Sequence, residues 1–274
     1  MSGKDHYTVI GHPIAHSQSP RIHALFAEQT GESLIYDATD ITPAELASRF
    51  NNFFKNGGKG MNVTVPHKEQ IAGLVDQLTA RAKLAGAINT VIALDSGELL
   101  GDNTDGEGLV TDLVSNLHAD IADSRILILG AGGATRGIVP ALQAAAPQLI
   151  MISNRTAAKA RELAEHFDTD GNVFGCGYAE LPAKAYDIVI HATSAGLSGE
   201  LPPFPAAVIG AYSFCYDLSY AATATPFVAK AKSLGCETSY DGLGMLVEQA
   251  AAAFELWRGV RPATAPVIAA LRTA

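Results

Sequence analysis

Cysteine is scarce in this chain. Cys176, Cys215 and Cys236 are the only three in 274 residues. The count is odd and no CxxC spacing occurs, so neither a disulfide framework nor a zinc knuckle follows, and a reducing compartment is expected. Basic residues are also in deficit, 19 Lys and Arg against 28 Asp and Glu, for a formal charge of −9. A nucleic-acid binder is ordinarily basic, so that class is disfavoured. The deficit does not exclude an anionic ligand, because backbone amides and a few Arg or Lys meet one locally. No uninterrupted apolar stretch reaches about 18 residues, so no membrane span is expected. Lys4, Asp5 and His6 interrupt the opening segment, which does not resemble a signal peptide. His12, His16, His67 and His191 form no HExxH, so no metal site is expected. These absences point to a cytoplasmic globular protein without nucleic-acid or membrane partners.

What is present is apolar. Hydrophobic residues make up 48% and charged residues 17%, the opposite of a disordered composition. At about 150 residues per domain the length suits one large or two modest domains. A chain of this size buries roughly 70–75% of its unfolded surface and needs no cross-link. The first hundred residues alternate strand-like and helix-like stretches. Strands are expected over 7–10, 34–37, 60–65 and 87–94. Helices are expected from Pro20 to Gln29, ended by Gly31, from Pro43 to Phe54 behind a Thr42 cap, and after Pro66. This cadence predicts a mainly parallel α/β unit. A second unit is expected from Asp105. It has a helix over 106–117, strands 125–129, 149–153, 188–192 and 212–218, and helices 135–146, 157–167 and 226–234. Two terminal helices, 243–257 and 263–272, are not assigned to either unit by periodicity.

Residues 130–137 read Gly-Ala-Gly-Gly-Ala-Thr-Arg-Gly and stand between an apolar strand and a helix. That is the setting of a dinucleotide fingerprint, here a spacing variant of GxGxxG. Gly130 permits the tight turn. Gly132 and Gly133, with Ala131 and Ala134, let backbone approach a pyrophosphate at a helix N-terminus. The next strand ends Ser153-Asn154-Arg155-Thr156. An acidic residue there would grip a ribose 2′-hydroxyl, and none is present. Arg155, with Thr156 beside it and Lys159 a turn on, suits a 2′-phosphate instead, which predicts NADP over NAD.

The first unit carries a scattered polar set. Ser19 reads as a helix N-cap before Pro20, whereas Ser17 has no such duty and is free to bind a polyhydroxy acid. Asn62 and Thr64 alternate with Met61, Val63 and Val65, so they share a face that is solvated or turned to a cleft. Lys68 falls just inside the expected helix start at Pro66. A cation there opposes the helix dipole, which would favour the neutral amine that a general base needs. Asn89 is a polar amide in an apolar strand, and neighbouring backbone would satisfy it. Asp105, in the turn-rich segment 101–106, reads by itself as the cap of the helix from Gly106, although a domain junction is also a favoured ligand site. Gln249 lies on an otherwise apolar helical stripe, and from the residues alone it is a boundary position.

Taken together, these segments resemble the shikimate dehydrogenase family over nearly the whole chain. The motifs are Ile10–Pro20, Asn62–Lys68, Ala87–Thr90, Gly101–Gly106, the glycine loop, Asn154–Thr156, Ala192-Thr193-Ser194 and Asp241–Leu246. The resemblance implies a two-domain α/β fold with a mixed α/β substrate domain at the N-terminus. That domain is discontinuous, residues 1–104 with 241–274. A Rossmann-like NADP-binding domain occupies 105–240, with a cleft between the two. It implies an oxidoreductase of aromatic amino acid biosynthesis that reduces 3-dehydroshikimate reversibly to shikimate with NADPH, as a monomer or homodimer. Lys68 and Asp105 become the catalytic pair. Ser17, Ser19, Asn62, Thr64, Lys68, Asn89, Asp105, Tyr220 and Gln249 become substrate contacts. Gly130 to Ala134, Asn154 to Thr156, Lys159, Thr193, Ser194 and Gly242 become cofactor contacts. His12, Gln18 and His191 depart from the usual residues, and a proline often found after the tyrosine is lacking after Tyr220. Three rivals are kept: an NAD-using quinate/shikimate dehydrogenase, a non-catalytic NADP-binding regulator, and a methylene-tetrahydrofolate dehydrogenase of similar plan. The last two are disfavoured by the intact Lys68 and Asp105 and by the Ser17–Ser19 pair.

Overall fold

A computed structural model describes residues 4–193 and 201–273. The chain divides into two compact units. One runs to Gly108 and resumes at Val247, and the other is Leu109–Leu246.

The first unit opens with β1 (Asp5–Gly11), α1 (Ser19–Thr30), β2 (Leu34–Asp40), α2 (Leu46–Lys55) and β3 (Gly60–Val63). It continues with β4 (Gln77–Leu78), α3 (Ala80–Ala85), β5 (Thr90–Ala93), β6 (Leu99–Asp102) and the start of α4 (Asp105–Thr111). Its six strands lie in the order β2-β1-β3-β5-β6-β4. β1 pairs in parallel with β2 and β3, whereas β5 is antiparallel to both β3 and β6. Three of the five pairings are parallel, so the sheet is mainly parallel as expected, and β5 makes it mixed. The antiparallel partner β6 lies in a segment whose glycine and polar residues read as a turn.

Helix α1 turns Ile22 and Phe26 into the core and ends where Gly31, at φ +71°, adopts the left-handed conformation and donates to the Ala27 carbonyl. Two expected helix starts are corrected. Pro43–Glu45 form a turn, and Thr42 donates its amide and hydroxyl to Glu45 Oε2 at 3.2 and 2.5 Å, so α2 begins at Leu46. After Pro66 there is no α-helix, only a short 3-10 turn at Gln70–Gly73. Tertiary bonds hold that segment instead. The Ile88 amide donates to the Lys68 carbonyl at 2.8 Å, and His67 Nε2 donates to the Ile41 carbonyl at 2.7 Å.

The second unit carries β7 (Arg125–Leu129), α5 (Gly133–Ala144), β8 (Leu149–Asn154), α6 (Ala157–Phe167), β9 (Val173–Gly177), β10 (Ile188–His191), β11 (Phe214–Asp217), α7 (Pro226–Ser233) and β12 (Ser239–Asp241). The strand order is β12-β11-β10-β7-β8-β9, every pair parallel. Both faces of the sheet are covered, so the central strands are continuous apolar runs. Ile126 and Ile128 of β7 join Ile138, Leu163 and Phe167 on one face, while Leu127 and Leu129 join Tyr186, Cys215 and Phe227 on the other. The edge strands β9 and β12 were not expected. They are short and rich in glycine or polar residues, and only pairing with β8 and β11 makes them strands.

Helix α8 (Leu243–Arg258) and α9 (Ala265–Arg272) complete the chain. Beyond Val247 the side chains of α8 pack into the first unit. Phe254 meets Phe26 at 5.7 Å, Trp257 meets Tyr7 at 4.8 Å, and Trp257 Nε1 donates to the Val91 carbonyl at 3.0 Å. Arg258 pairs with Asp5 and Glu32. Before that point, Met245 N donates to Tyr216 Oη, which holds the first turn of α8 in the second unit. The units thus divide a few residues beyond 104/105 and 240/241. No helix among the described residues is long and apolar enough to cross a membrane.

Candidate active site

In the first unit, parallel β1 and β3 end side by side with Ile10 opposite Val63. The loops that carry Ser17, Ser19, Thr64 and Lys68 therefore leave the same sheet edge. The approach is close: the His12 amide donates to the Val65 carbonyl at 3.0 Å, and a Cβ on Gly11 would stand 2.6 Å from Thr64 Cγ2. Ser19 is not an N-cap. It is the first residue of α1, and Ser17 Oγ accepts its amide N–H at 3.3 Å. Ser17 thus has the local duty that the sequence seemed to assign to Ser19.

Lys68 and Asp105 meet. Lys68 Nζ donates to Asp105 Oδ2 at 2.6 Å, and the two side chains are 14% and 4% exposed. Asn89 Nδ2 donates to Asp105 Oδ1 at 2.9 Å, to Thr104 Oγ1 at 2.9 Å and to Gln249 Oε1 at 3.1 Å. Both carboxylate oxygens are therefore engaged by side chains, and the helix-cap reading of Asp105 is set aside. Lys68 lies outside any helix, so the dipole of a helix of its own, which the sequence argument invoked, is absent. Gln249 is half-buried, as a boundary position is, but its side chain also joins the network. A Cβ on Gly108 would stand 2.7 Å from its amide nitrogen, so only glycine lets α4 approach α8 this closely.

Asn62 is buried rather than turned to a cleft. It accepts from Tyr36 Oη at 2.6 Å and donates through Nδ2 to the Asn89 carbonyl and Thr90 Oγ1. Burial pushes the Tyr36 phenol well above its ordinary range, so it remains a neutral donor. Stacked on it at 4.0 Å is His23, whose imidazole burial pushes down to about 3. Sequence reasoning missed Tyr36, Thr90, Asn103 and Thr104 as members of this network. For the last two the signal was present in the turn-rich segment 101–106.

That turn is itself pinned. Asp102 accepts from Arg81 Nε and Nη2 at 2.7 and 2.6 Å, from Thr79 Oγ1 at 2.6 Å and from the Asn103 amide at 2.7 Å. Burial works against the charged form, but the Arg81 fork and these donors outweigh it and hold the Asp102 carboxyl below its ordinary range. Asn103 Oδ1 then accepts the Asp105 amide at 3.0 Å.

In the second unit Gly130 sits at φ +124°, in the region that favours glycine, and a Cβ there would meet the Ala192 carbonyl at 2.7 Å. Thr135 Oγ1 donates to the Gly130 carbonyl at 2.9 Å and locks the loop. Gly132 is the N-cap of α5 and supplies no side-chain cap, and a Cβ there would meet nothing within 4 Å. Free helix amides facing open space form an anion cradle. Ala131 and Ala134 flank it, half-buried. Asn154 Nδ2 donates to the Thr156 carbonyl at 3.2 Å, which shapes the turn where Arg155, Thr156 and Lys159 stand exposed. Thr156 is the N-cap of α6 but makes no side-chain cap bond. Thr193 lies just past β10, and the expected contact Ser194 falls outside the described residues. Tyr220 is half-buried after β11. Gly242 donates to the Ser219 carbonyl at 2.9 Å, and a Cβ on it would stand 2.5 Å from the Leu218 carbonyl.

The parallel strand order, with a glycine turn closing its first strand and an uncapped helix start behind it, is that of a dinucleotide-binding α/β protein. Family models match residues 9–91 as a shikimate dehydrogenase substrate binding domain, 112–198 as shikimate / quinate 5-dehydrogenase, and 242–272 as the shikimate 5′-dehydrogenase C-terminal domain. The chain belongs to the shikimate dehydrogenase family. It is 53% identical to a shikimate dehydrogenase (NADP(+)) of Methylococcus capsulatus, covering 99% of this chain and 97% of that one. Among solved structures it is similar to shikimate 5-dehydrogenase from Thermus thermophilus in complex with NADP(H) and shikimate. There the TM-score is 0.86 at 33% identity, covering 98% and 99% of the two chains. It is also similar to 5-ketofructose reductase of a Gluconobacter strain, with a TM-score of 0.84 at 31% identity, covering 100% and 99%. The fold alone therefore does not choose the substrate.

Proposed function

We propose that this chain catalyses the reversible, NADPH-dependent reduction of 3-dehydroshikimate to shikimate on the way to aromatic amino acids. The observation that carries the reading is the buried Lys68–Asp105 pair, braced by Asn89 and Gln249. The unit that holds both chain ends is the substrate domain, and the middle unit is the NADP domain. Three buried free thiols agree with a reducing cytoplasm.

The second unit fits the cofactor. The α5 amides and Gly132 suit the pyrophosphate, and Arg155 with Thr156 and Lys159 suits a 2′-phosphate. NADP(H), when bound, supplies or accepts the hydride. Lys68 Nζ has three donors and gives one to Asp105 Oδ2. In the direction of reduction Lys68 gives a proton to the developing alkoxide, and in oxidation the amine takes it back. Asp105 fixes the Nζ direction and accepts a hydrogen bond from the substrate hydroxyl, and Asn89 holds Asp105 in that orientation. Ser17, Ser19, Thr64, Tyr220 and Gln249 are assigned to the remaining hydroxyls and the carboxylate, and Asn62 supports Asn89 from behind. Thr193, Ser194, Asn154 and Gly242 are assigned to the cofactor.

Initial rates with shikimate or quinate, each with NADP⁺ or NAD⁺, test the reading. Turnover confined to shikimate with NADP⁺ is expected. Equal turnover with quinate or NAD⁺ would reassign the chain to the broader quinate/shikimate activity. Asp105→Asn is expected to lower kcat and raise KM for shikimate together, and an unchanged KM would remove its substrate contact. Arg155→Ala is expected to raise KM for NADP⁺ about tenfold to a hundredfold, the loss of charge-assisted hydrogen bonds, with NAD⁺ kinetics unaltered. An equal change for both cofactors would refute the phosphate role.

A further inference from the structure

A line of polar groups crosses the C-terminal ends of β10 and β11, all of it inside the second unit. His191 closes β10 and Asp217 closes β11, in register as parallel partners. His191 is 1% exposed. Its Nδ1 lies 3.0 Å from Asp217 Oδ1 and its Nε2 lies 2.7 Å from Thr193 Oγ1. The ring stacks on Phe227 at 5.1 Å. Asp217 Oδ1 also accepts the Ser219 amide at 3.0 Å, and the Ser219 carbonyl accepts the Gly242 amide at 2.9 Å. On the other side, a Cβ on Gly130 would stand 3.2 Å from Thr193 Cγ2, so Thr193 flanks the first glycine of the phosphate loop. β7 and β10 are the neighbours between which the strand order reverses, the crevice where open α/β sheets bind ligands. Burying an imidazole and a carboxylate at strand ends is unfavourable unless they are paired. Here the pair joins β10 to β11 on one side of that crevice, and Gly130 at the end of β7 stands on the other.

We propose that His191 is a positioning residue for the dinucleotide. It ties Asp217 to the Thr193 hydroxyl and holds that hydroxyl against the pyrophosphate–nicotinamide half. The inference rests on the NADP reading above. A carboxylate only accepts, so Nδ1 is the ring nitrogen that donates to Asp217, and Nε2 is assigned as the acceptor of the Thr193 hydroxyl. The Thr193 oxygen is then left as an acceptor, the polarity suited to a donor on that half of the cofactor, a ribose hydroxyl or the carboxamide N–H.

The test is calorimetric titration of the whole protein with NADP⁺ and with adenosine 2′,5′-bisphosphate, which lacks the nicotinamide half. His191→Ala and Thr193→Val are each expected to weaken NADP⁺ about tenfold, one hydrogen bond's worth, and to leave the bisphosphate within about two-fold. The double variant is expected to lose no more than either single one, since both break the same link. His191→Gln, whose amide reaches toward the Nε2 position, is expected to recover part of the loss. Nitrogen NMR of histidine in ligand-free protein is expected to show a protonated Nδ1 and a bare Nε2. Equal weakening of both ligands would reduce His191 to a structural role, and unchanged NADP⁺ affinity would overturn the proposal. A doubly protonated ring would overturn the acceptor polarity. Wild-type protein that binds neither ligand would overturn the NADP reading, and this inference with it.

Discussion

Replacing Lys68 with alanine is expected to lower kcat by about 10²–10⁴-fold, the usual worth of a positioned proton donor, while KM for shikimate changes little. Lys68 donates to a carboxylate that is almost wholly out of water. Its ammonium is therefore aimed rather than free to wander, and a solvent proton cannot easily take its place. The substrate's other hydroxyls and its carboxylate would still be held by groups that do not depend on Lys68. A kcat within a few-fold of wild type would end the acid–base assignment. Folding must be checked in parallel, because the Asp105 carboxylate would keep only Asn89 as a side-chain partner. Comparable circular dichroism for the two proteins would show that the lost rate is chemical.

The second large effect is expected away from the reacting atoms. Arg81→Ala should destabilise the first unit by about 3 kcal/mol, the low end for removing one partner of a buried ion pair, since the exposed part of the guanidinium can be replaced by water. Asp102 is 1% exposed and Arg81 supplies two of its hydrogen bonds. Thr79 and the Asn103 amide would remain, too few for a buried carboxylate. The effect should depend on pH with a definite sign. The folded Asp102 carboxyl lies below its ordinary range, so the unfolded chain binds the proton more readily. The stabilisation is thus complete above the unfolded value of about 3.9 and is lost as pH falls through the folded one. Melting curves of wild type and variant should converge toward low pH. A gap that stays constant from neutrality down to strong acid would disprove the ion-pair account. Because Asn103 passes the constraint on to Asp105, the variant should also lose turnover at temperatures where it remains folded.

The second unit was legible to within a few residues in its central elements. Strand β7 and helix α6 fall where their patterns place them, because an apolar run of five and a period near 3.6 each admit one solution at that length. The glycine loop was equally legible, since Gly130 occupies a backbone conformation that favours its residue type. What escaped were elements whose own residues do not favour them. β9 and β12 are strands because a neighbour offers a ladder, and β6 is a strand because β5 turns back beside it.

The chemistry-bearing residues divide in the same way. Sequence alone determined the kinds of group available: a lysine, a carboxylate, two amides and hydroxyls in the first unit, and an uncapped glycine turn with an arginine after the next strand in the second. Their partners were decided only by tertiary structure. Pro66 suggested a helix behind Lys68, yet long-range bonds to Ile88 and Ile41 hold that segment in a series of turns and bring the lysine to Asp105. Asn62 followed the strand alternation, yet Tyr36 and Asn89 bury it. Gln249 is a boundary residue by its burial, yet only the close approach at Gly108 and the reach of Asn89 make it part of the network. Periodicity registers neighbours a few positions apart. Hydrogen bonds between residues 37 and 160 positions apart, as from Lys68 to Asp105 and from Asn89 to Gln249, exist only once the packed strands and helices bring the two ends together.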